Sequence, residues 1–200
     1  FYDHSTYVRG YSRETIKRYK NVIRLYPRLA NISQIGQVTE ENVRAFFFHG
    51  RTQRAWKTNT FICYHNSLLV FFRWCVEQGV MEKNPVECME LPRLEKKLPT
   101  KLTKQVTLRL LEVVYNFPYD YKFLRYRNHA IFSTYIFAGL RKSELLHLKL
   151  TDVDIENLTI FVSQGKGNKD RIIPMSYTLA QTLKRYLEER KRLNKTCPDF

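Results

Sequence analysis

The sequence predicts a mainly α-helical protein with a small antiparallel β-sheet in its second half. Apolar residues recur at helical spacing through most of the 200 residues, and typical helix-capping residues precede several of these segments. After residue 152 the pattern changes, and two short β-type segments flank a glycine-containing connection. We therefore expect an all-helical first domain and a second domain whose helices carry the sheet.

Three helices are predicted in the first domain, residues 1–91. Ser12 is expected to cap the first helix, Thr39 a short helix that ends at Phe48, and a long helix follows from Thr58 to Gln78 and stops at Gly79. The apolar face of the first helix comprises Ile16, Tyr19, Ile23 and Tyr26. The inward face of the long helix is predicted to comprise Phe61, Ile62, His65, Leu69, Phe72 and Val76.

Residues 92–102 are predicted to link the domains. Prolines and basic residues, among them Lys101, dominate this stretch. Such a composition is typical of an exposed linker, which is either merely solvated or lies close to a polyanion.

The second domain, residues 103–200, is predicted to alternate helices and strands. Thr103 is expected to cap a helix that ends near Tyr115, and a second helix covers residues 125–138. Strands are expected at Leu158–Val162 and Arg171–Met175, joined as a hairpin. Ser176 is expected to cap the last helix.

The charge of the chain points to a polyanionic partner. It contains 34 Lys and Arg against 19 Asp and Glu, a net charge of +15. This excess favours nucleic acid or an anionic membrane surface. No window approaches the roughly 18 apolar residues that a spanning helix needs, and no continuous amphipathic basic helix of the kind used by membrane-surface proteins is evident. We therefore expect a nucleic-acid partner rather than a membrane or a small-molecule substrate, with a basic helical protein of the membrane surface as the alternative. The first residues lack Met and do not form a signal peptide, which suggests a fragment.

Cysteine and histidine spacing does not predict a metal site. The four cysteines, Cys63, Cys75, Cys88 and Cys197, form no CxxC pair, and no HExxH occurs. We expect reduced thiols of an intracellular protein, with structural zinc as the alternative.

The segment "AGLRKSELLHLKL", Ala138 to Leu150, interrupts a helical pattern. Gly139 permits a sharp corner, after which Arg141 is expected in the first turn of a short helix, beside free backbone N–H groups. Cations usually favour the other end of a helix, so an arginine here suits a site that binds an anion such as phosphate. The alternative is a buried ion pair between Arg141 and Glu144 that only fixes the corner.

Two further groups of basic residues are candidates for nucleic-acid contact. The hairpin "GKGNKDR" carries Lys166, Lys169 and Arg171 on a glycine-containing tip. Such a tip is either simply solvated, or its lysine reaches a groove and protonates a leaving oxygen. Near the start of the long helix stand Arg51, Arg54, Lys57 and Thr58, which form either a groove contact or an ordinary solvated face.

Taken together, these segments resemble the tyrosine recombinases, the phage-integrase and Xer-type site-specific DNA recombinases. The stretch "AGLRKSELLHLKLTDVDIENLTIFVSQGKGNKDRIIPM" is similar to the first half of their catalytic domain. "FFRWCVEQGVMEKNPVECMELPRLEKKLPTKLT" resembles the junction between their domains, and "YSRETIKRYK" the opening helix of their first domain. The resemblance implies a SAM-like core-binding domain at 1–91 and part of a catalytic domain at 103–200.

The resemblance also implies roles for individual residues. Arg141 matches the catalytic arginine that holds the scissile phosphate, and Glu144 the acidic residue that supports it. Lys166 matches the hairpin lysine, the general acid for the 5′-hydroxyl, while Lys169 and Arg171 are expected to hold nearby phosphate. Duplex DNA, a homo-tetramer on paired sites, no cofactor and a cytoplasmic, DNA-associated location are further expectations.

One part of the family's site has no counterpart in these residues. The family completes its site with an HxxR motif and a nucleophilic tyrosine, and none of the five histidines is followed by Arg three residues later. Tyr177 and Tyr186 are expected to serve in core or surface packing. We therefore expect this fragment to bind DNA and to lack strand cleavage. The alternative is a non-catalytic architectural or regulatory DNA-binding protein on the same scaffold.

Overall fold

The computed structural model describes residues 1–94, 98, 100–163 and 169–193. The chain separates into two compact units, Phe1–Leu98 and Pro99–Phe200, and each has its own hydrophobic core. Within the predicted linker 92–102, residues 95–97 and 99 lie outside the described part. The domain limits at 91 and 102 stay predictions.

Three α-helices form the first unit: α1 (Arg13–Ala30), α2 (Glu40–Thr52) and α3 (Thr58–Glu77). A π-helical turn, His4–Val8, precedes α1, and a 3₁₀ turn, Ile35–Gln37, precedes α2. The predicted caps are confirmed, because the hydroxyls of Ser12 and Thr39 accept backbone N–H groups three residues on. Gly79 follows α3 with a φ of +68°, as expected of a helix stop.

The second helix is longer than predicted and includes Gly50. It ends at Thr52 rather than at Phe48. The Trp56 ring packs directly on Gly50, where any Cβ would lie 2.1 Å from a ring atom. A glycine within the helix thus provides a site for Trp56, whose ring also packs edge-on against Phe46.

The core of the first unit is rich in aromatic side chains. Its buried residues are Val22, Tyr26, Val43, Phe46, Phe47, Phe61, Leu68, Phe72 and Val86. The predicted inward face of α3 is partly wrong. Phe61, His65 and Phe72 are buried, and the half-buried Leu69 packs against the core. Ile62 and Val76 are only half-buried, because the face is centred on Leu68 and Cys75. In α1, Val22 is fully buried and Ile23 half-buried.

Among its described residues, the second unit has four α-helices, a 3₁₀ turn at Leu150–Asp152 and a three-stranded antiparallel sheet. The helices are α4 (Lys104–Asn116), α5 (Lys122–Ala138), α6 (Lys142–Leu146) and α7 (Tyr177–Arg192). The strands are β1 (Val153–Asp154), β2 (Thr159–Val162) and β3 (Arg171–Pro174), in the order β1-β2-β3. Sequence periodicity missed β1, because two residues are too few to show alternation.

Helix α5 packs against α7, and buried residues of both helices and of β2 form the core of this unit. Its buried residues include Ala130, Leu145, Ile160, Leu179 and Leu183. Tyr186 is buried there and Tyr177 is exposed, so they occupy the core and the surface respectively.

The remaining features of the described residues concern membranes, metals and thiols. No helix in the described ranges has the length and apolar character needed to cross a bilayer. The same residues contain no cluster of potential metal ligands, and Cys63, Cys75 and Cys88 are free thiols. Cys197 lies outside them.

Candidate functional site

The site begins at the corner between α5 and α6. Gly139 adopts the left-handed conformation with a φ of +62°, and its N–H donates to the Tyr135 carbonyl. Leu140 is buried beside it. Arg141 follows in extended backbone and is the N-cap of α6, so the predicted position within the first turn is off by one residue. An N-cap leaves the guanidinium outside the helix, where a ligand can reach it.

Glu144 holds Arg141 at two points. Its Oε2 accepts the Arg141 backbone N–H at 2.8 Å, and its Oε1 accepts Nη1 of the guanidinium at 2.7 Å. The Glu144 side chain is only 4% exposed, whereas that of Arg141 is 56% exposed. Because the carboxylate is buried and the arginine is not, the pair fixes the corner and also presents a cation to solvent.

Arg171, the first residue of β3, bonds the same carboxylate. Its Nη1 donates to Oε1 at 2.9 Å and its Nη2 to Oε2 at 2.7 Å, a bidentate arrangement. The sequence predicted Arg171 as a phosphate contact and missed this pair across 27 residues. One signal in the sequence could have indicated the pair. Glu144 is the one acidic residue in the short helical segment after the corner, and basic residues surround it in the sequence.

The cluster of Arg141, Glu144 and Arg171 carries one net positive charge, from two guanidinium groups and one carboxylate. Hydrogen bonds from Arg171, opposed in part by burial and reinforced by the backbone and side chain of Arg141, lower the pKa of Glu144 from 4.5 to about 2. The carboxylate is therefore ionised throughout the neutral range, and it keeps both arginines in place.

This pKa predicts a loss of stability in acid. A carboxyl whose pKa is lower in the folded state than in the unfolded state stabilises the fold fully above the unfolded value. Its contribution should decline as the pH falls from about 4.5 towards about 2. Chemical denaturation of the wild type and Glu144→Gln across this window measures the effect, and the difference between the two proteins should shrink with falling pH. A difference that is constant with pH would contradict the assignment.

A polar cleft of about 520 Å³ lies beside Glu144. Its walls include Ser143, His147, Lys149, Phe161 and Ser163. The His147 ring forms a hydrogen bond through Nδ1 with the Ser143 carbonyl at 2.7 Å. Open polar space thus adjoins the carboxylate that positions Arg141.

Three other basic residues of the second unit were predicted to contact DNA or to act in catalysis: Lys101, Lys166 and Lys169. Lys166, on the β2–β3 connection, lies outside the described residues, so its distance to Arg141 is not defined. Lys169 and Lys101 are exposed. The structure therefore brings together Arg141, Glu144 and Arg171 from the predicted set.

In the first unit, the predicted group around the start of α3 is split between two roles. Arg51 donates from Nη1 to the Trp56 carbonyl at 2.7 Å, which fastens the connection between α2 and α3. Arg54 and Lys57 are exposed, Lys57 as the N-cap of α3, and Thr58 is half-buried as its first residue. The exposed pair is accessible to a polyanion.

A basic stripe on α1 was not among the predicted nucleic-acid contacts. Its residues recur every three or four positions and are all exposed: Arg13, Lys17, Lys20, Arg24 and Arg28. At 3.6 residues per turn this spacing places them on one side of the helix, opposite the buried face. The same spacing in the sequence was the signal that could have found the stripe.

Two family models match most of the chain. The model described as "Phage integrase, N-terminal SAM-like domain" matches residues 1–82, and that of the "Phage integrase family" matches residues 100–198. Together they leave out residues 83–99 and the last two residues. The two matches correspond to the two compact units.

Curated relatives match along nearly the whole chain. A tyrosine recombinase from Thermosipho africanus is 30% identical over 192 residues, which cover 94% of this chain and 65% of the relative. A tyrosine recombinase XerC from Thermodesulfovibrio yellowstonii is 28% identical, over 96% of this chain and 62% of the relative. The chain thus spans just under two thirds of the length of these relatives.

Solved structures show the same fold. The Tn1549 transposon integrase in complex with transposon right end DNA superposes with a TM-score of 0.73 at 20% identity, over 95% of this chain and 64% of that one. A lambda integrase tetramer bound to a Holliday junction superposes with a TM-score of 0.70 at 19% identity, over 96% of this chain and 55% of that one. The XerH recombinase bound to a palindromic difH substrate superposes with a TM-score of 0.67 at 24% identity, over 92% of this chain and 55% of that one.

Proposed function

The chain belongs to the phage integrase family of tyrosine recombinases, and from this premise we propose that it forms part of a site-specific recombinase. The complete enzyme would cleave and rejoin duplex DNA through a 3′-phosphotyrosyl intermediate. The observation that carries the proposal is the exposed guanidinium of Arg141, held by the buried carboxylate of Glu144.

Arg141 is proposed to bind the scissile phosphate. A guanidinium offers a planar pair of donors that matches two phosphate oxygens, and it retains its charge at any physiological pH. When a tyrosine oxygen attacks phosphorus, negative charge grows on the non-bridging oxygens, and a cation already fixed in place stabilises it without reorganisation. Glu144 supplies that fixation.

Lys166 is proposed as the general acid. Attack on phosphorus forms the bond to the tyrosine oxygen and breaks the bond to the 5′-oxygen, which needs a proton as it leaves. A lysine on the β2–β3 connection is a candidate donor because Arg171, the first residue after that connection in β3, is itself bonded to Glu144 in the Arg141 cluster. Rejoining reverses both steps and needs no external energy source, metal or nucleotide.

The two units are proposed to share the DNA. Residues 1–91 would act as a core-binding domain, 92–102 as a basic linker and 103–200 as the first part of a catalytic domain. Exposed Arg54, Lys57, Lys101 and Lys169 are proposed as phosphate contacts, in addition to Arg141 and the basic stripe on α1. A homo-tetramer on two sites and a cytoplasmic, DNA-associated location complete the proposal.

These 200 residues are proposed to bind duplex DNA without cleaving it, since no HxxR motif occurs in them. Anisotropy with a labelled 30-base-pair duplex should show binding that weakens steeply with KCl, through counterion release. Incubation with nicked duplexes of randomised sequence, followed by denaturing gel electrophoresis, should show no covalent protein–DNA adduct. An adduct would overturn the absence of cleavage, and salt-independent or undetectable binding would overturn the DNA interface.

The basic stripe on α1 predicts a measurable share of this salt dependence. We would replace Lys17, Lys20 and Arg24 together by glutamine. The plot of the logarithm of the DNA association constant against log [KCl] should then become less steep, by about 0.9 for each phosphate that the protein no longer neutralises. Three other exposed lysines, Lys83, Lys104 and Lys191, give a control variant with the same reduction in charge. Equal slopes in the two triple variants would show that only net charge matters.

A further inference from the structure

We infer that Arg171 is a positioning residue, which fixes Arg141 through Glu144 and does not itself contact DNA. This role rests on the proposed function, because it concerns how the phosphate-binding arginine is held. It also differs from the phosphate contact that the sequence suggested for Arg171. Three features of the structure support it.

The first feature is the way in which Glu144 divides its oxygens. Each carboxylate oxygen accepts one hydrogen bond from Arg171 and one from Arg141. Arg171 commits both of its terminal nitrogens to these bonds, whereas Arg141 commits its backbone N–H and Nη1. A guanidinium has five N–H donors. Arg141 uses one of them on Glu144 and keeps four, whereas Arg171 uses two and has the edge between its two terminal nitrogens occupied.

The second feature is burial. The Arg171 side chain is 36% exposed, against 56% for Arg141, and the carboxylate between them is almost wholly buried. A buried carboxylate must keep its hydrogen bonds, because loss of one partner leaves an uncompensated charge. Without Arg171, two of the four bonds to Glu144 disappear. The carboxylate then gains freedom to turn towards water, and Arg141 loses its fixed partner.

The third feature is connectivity. Helix α6 has five residues, too few to be stable without tertiary contacts. Arg171 pairs with Val162 at the end of the β2–β3 ladder that adjoins the hairpin connection. The Arg171–Glu144 bonds therefore join α6 to the base of the hairpin that carries Lys166. One ion pair therefore links the carboxylate that holds Arg141 to the first residue of β3.

A double-mutant cycle on DNA binding separates positioning from direct contact. We would measure the affinity of the 200-residue chain for a 30-base-pair duplex in Arg141→Ala, Arg171→Ala and the double variant. Each single variant should bind on the order of 10-fold more weakly. The double variant should lie within roughly 2-fold of Arg141→Ala, because Arg171 acts only through Arg141. Independent, multiplicative losses would overturn the inference and assign Arg171 to a phosphate.

Arg171→Lys keeps the charge and tests the geometry. A lysine can still bind phosphate as a point charge but cannot span both oxygens of Glu144. The lysine variant should therefore bind DNA as weakly as Arg171→Ala, and wild-type affinity would contradict positioning. Thermal unfolding checks that each variant is folded, and Arg192→Ala, which removes an exposed arginine paired with Glu189 on α7, is the matched control.

A measurement without DNA keeps the test independent of the proposed function. The side-chain Nε–Hε signal of Arg141 reports its mobility in ¹⁵N relaxation experiments. This signal should indicate a rigid group in the wild type and in Arg192→Ala, and a mobile group in Arg171→Lys. If Arg141 becomes mobile but no variant changes DNA affinity, positioning holds and the proposed function fails. If Arg141 stays rigid, the positioning role is wrong.

Discussion

Replacing Arg141 by alanine should lower the rate of strand cleavage at least 10²–10³-fold in a recombinase that contains this chain and the rest of its catalytic domain. Removing one donor of a preorganised group that stabilises developing negative charge has an effect of this size. The structure gives the reason, since Arg141 is exposed to a ligand and held in advance by Glu144. Single-turnover cleavage of a nicked substrate measures the rate.

Two variants sharpen this expectation. Arg141→Lys retains the charge but loses the planar fork, so its rate should also fall well below that of the wild type. Arg127→Ala removes an exposed arginine of α5 and should leave the rate unchanged. Full strand exchange by Arg141→Ala would instead indicate a DNA-binding protein on a recombinase-like scaffold, without this chemistry.

The largest effect on stability is expected at Phe46. Its ring is 1% exposed in the core of the first unit and packs against Tyr26, Phe47 and Trp56. Phe46→Ala should therefore lower the free energy of unfolding of this unit by about 3–5 kcal/mol. Phe48, two residues along the same helix, is 71% exposed, and Phe48→Ala should change it by less than about 0.5 kcal/mol.

Tryptophan fluorescence isolates this unit during urea denaturation. The chain has two tryptophans, Trp56 and Trp74, and both lie in the first unit. Their emission should report its unfolding even if the second unit unfolds separately. Similar midpoints for the Phe46 and Phe48 variants would contradict the placement of α2.

Local signals in the sequence predicted much of the fold. Ser12, Thr39, Thr103 and Ser176 cap helices because their hydroxyls reach backbone N–H groups within the same turn. Gly139 ends α5 because it adopts a positive φ without steric cost. Each of these features depends on a few neighbouring residues, so it is visible in the sequence.

Long-range contacts could not be predicted in the same way. The pairing of Arg171 with Glu144 joins residues far apart in the chain, and nothing near Arg171 distinguishes it from a solvated hairpin arginine. The packing of Trp56 on Gly50, in the part of α2 beyond Phe48, likewise involves a residue of the next segment. The contact between Arg141 and Glu144 could be predicted from the sequence, because the two residues are three positions apart.

The proposed contact between Arg141 and phosphate is tested most directly by observing Arg141 while DNA is added. In the 200-residue chain, the Arg141 Nε–Hε signal should shift as a 30-base-pair duplex is titrated in at low salt. It should not shift with a duplex whose phosphates are replaced by neutral methylphosphonates, because the proposed contact is to phosphate oxygen. An Arg141 signal that stays in place while other signals report saturation with normal DNA would contradict the claim.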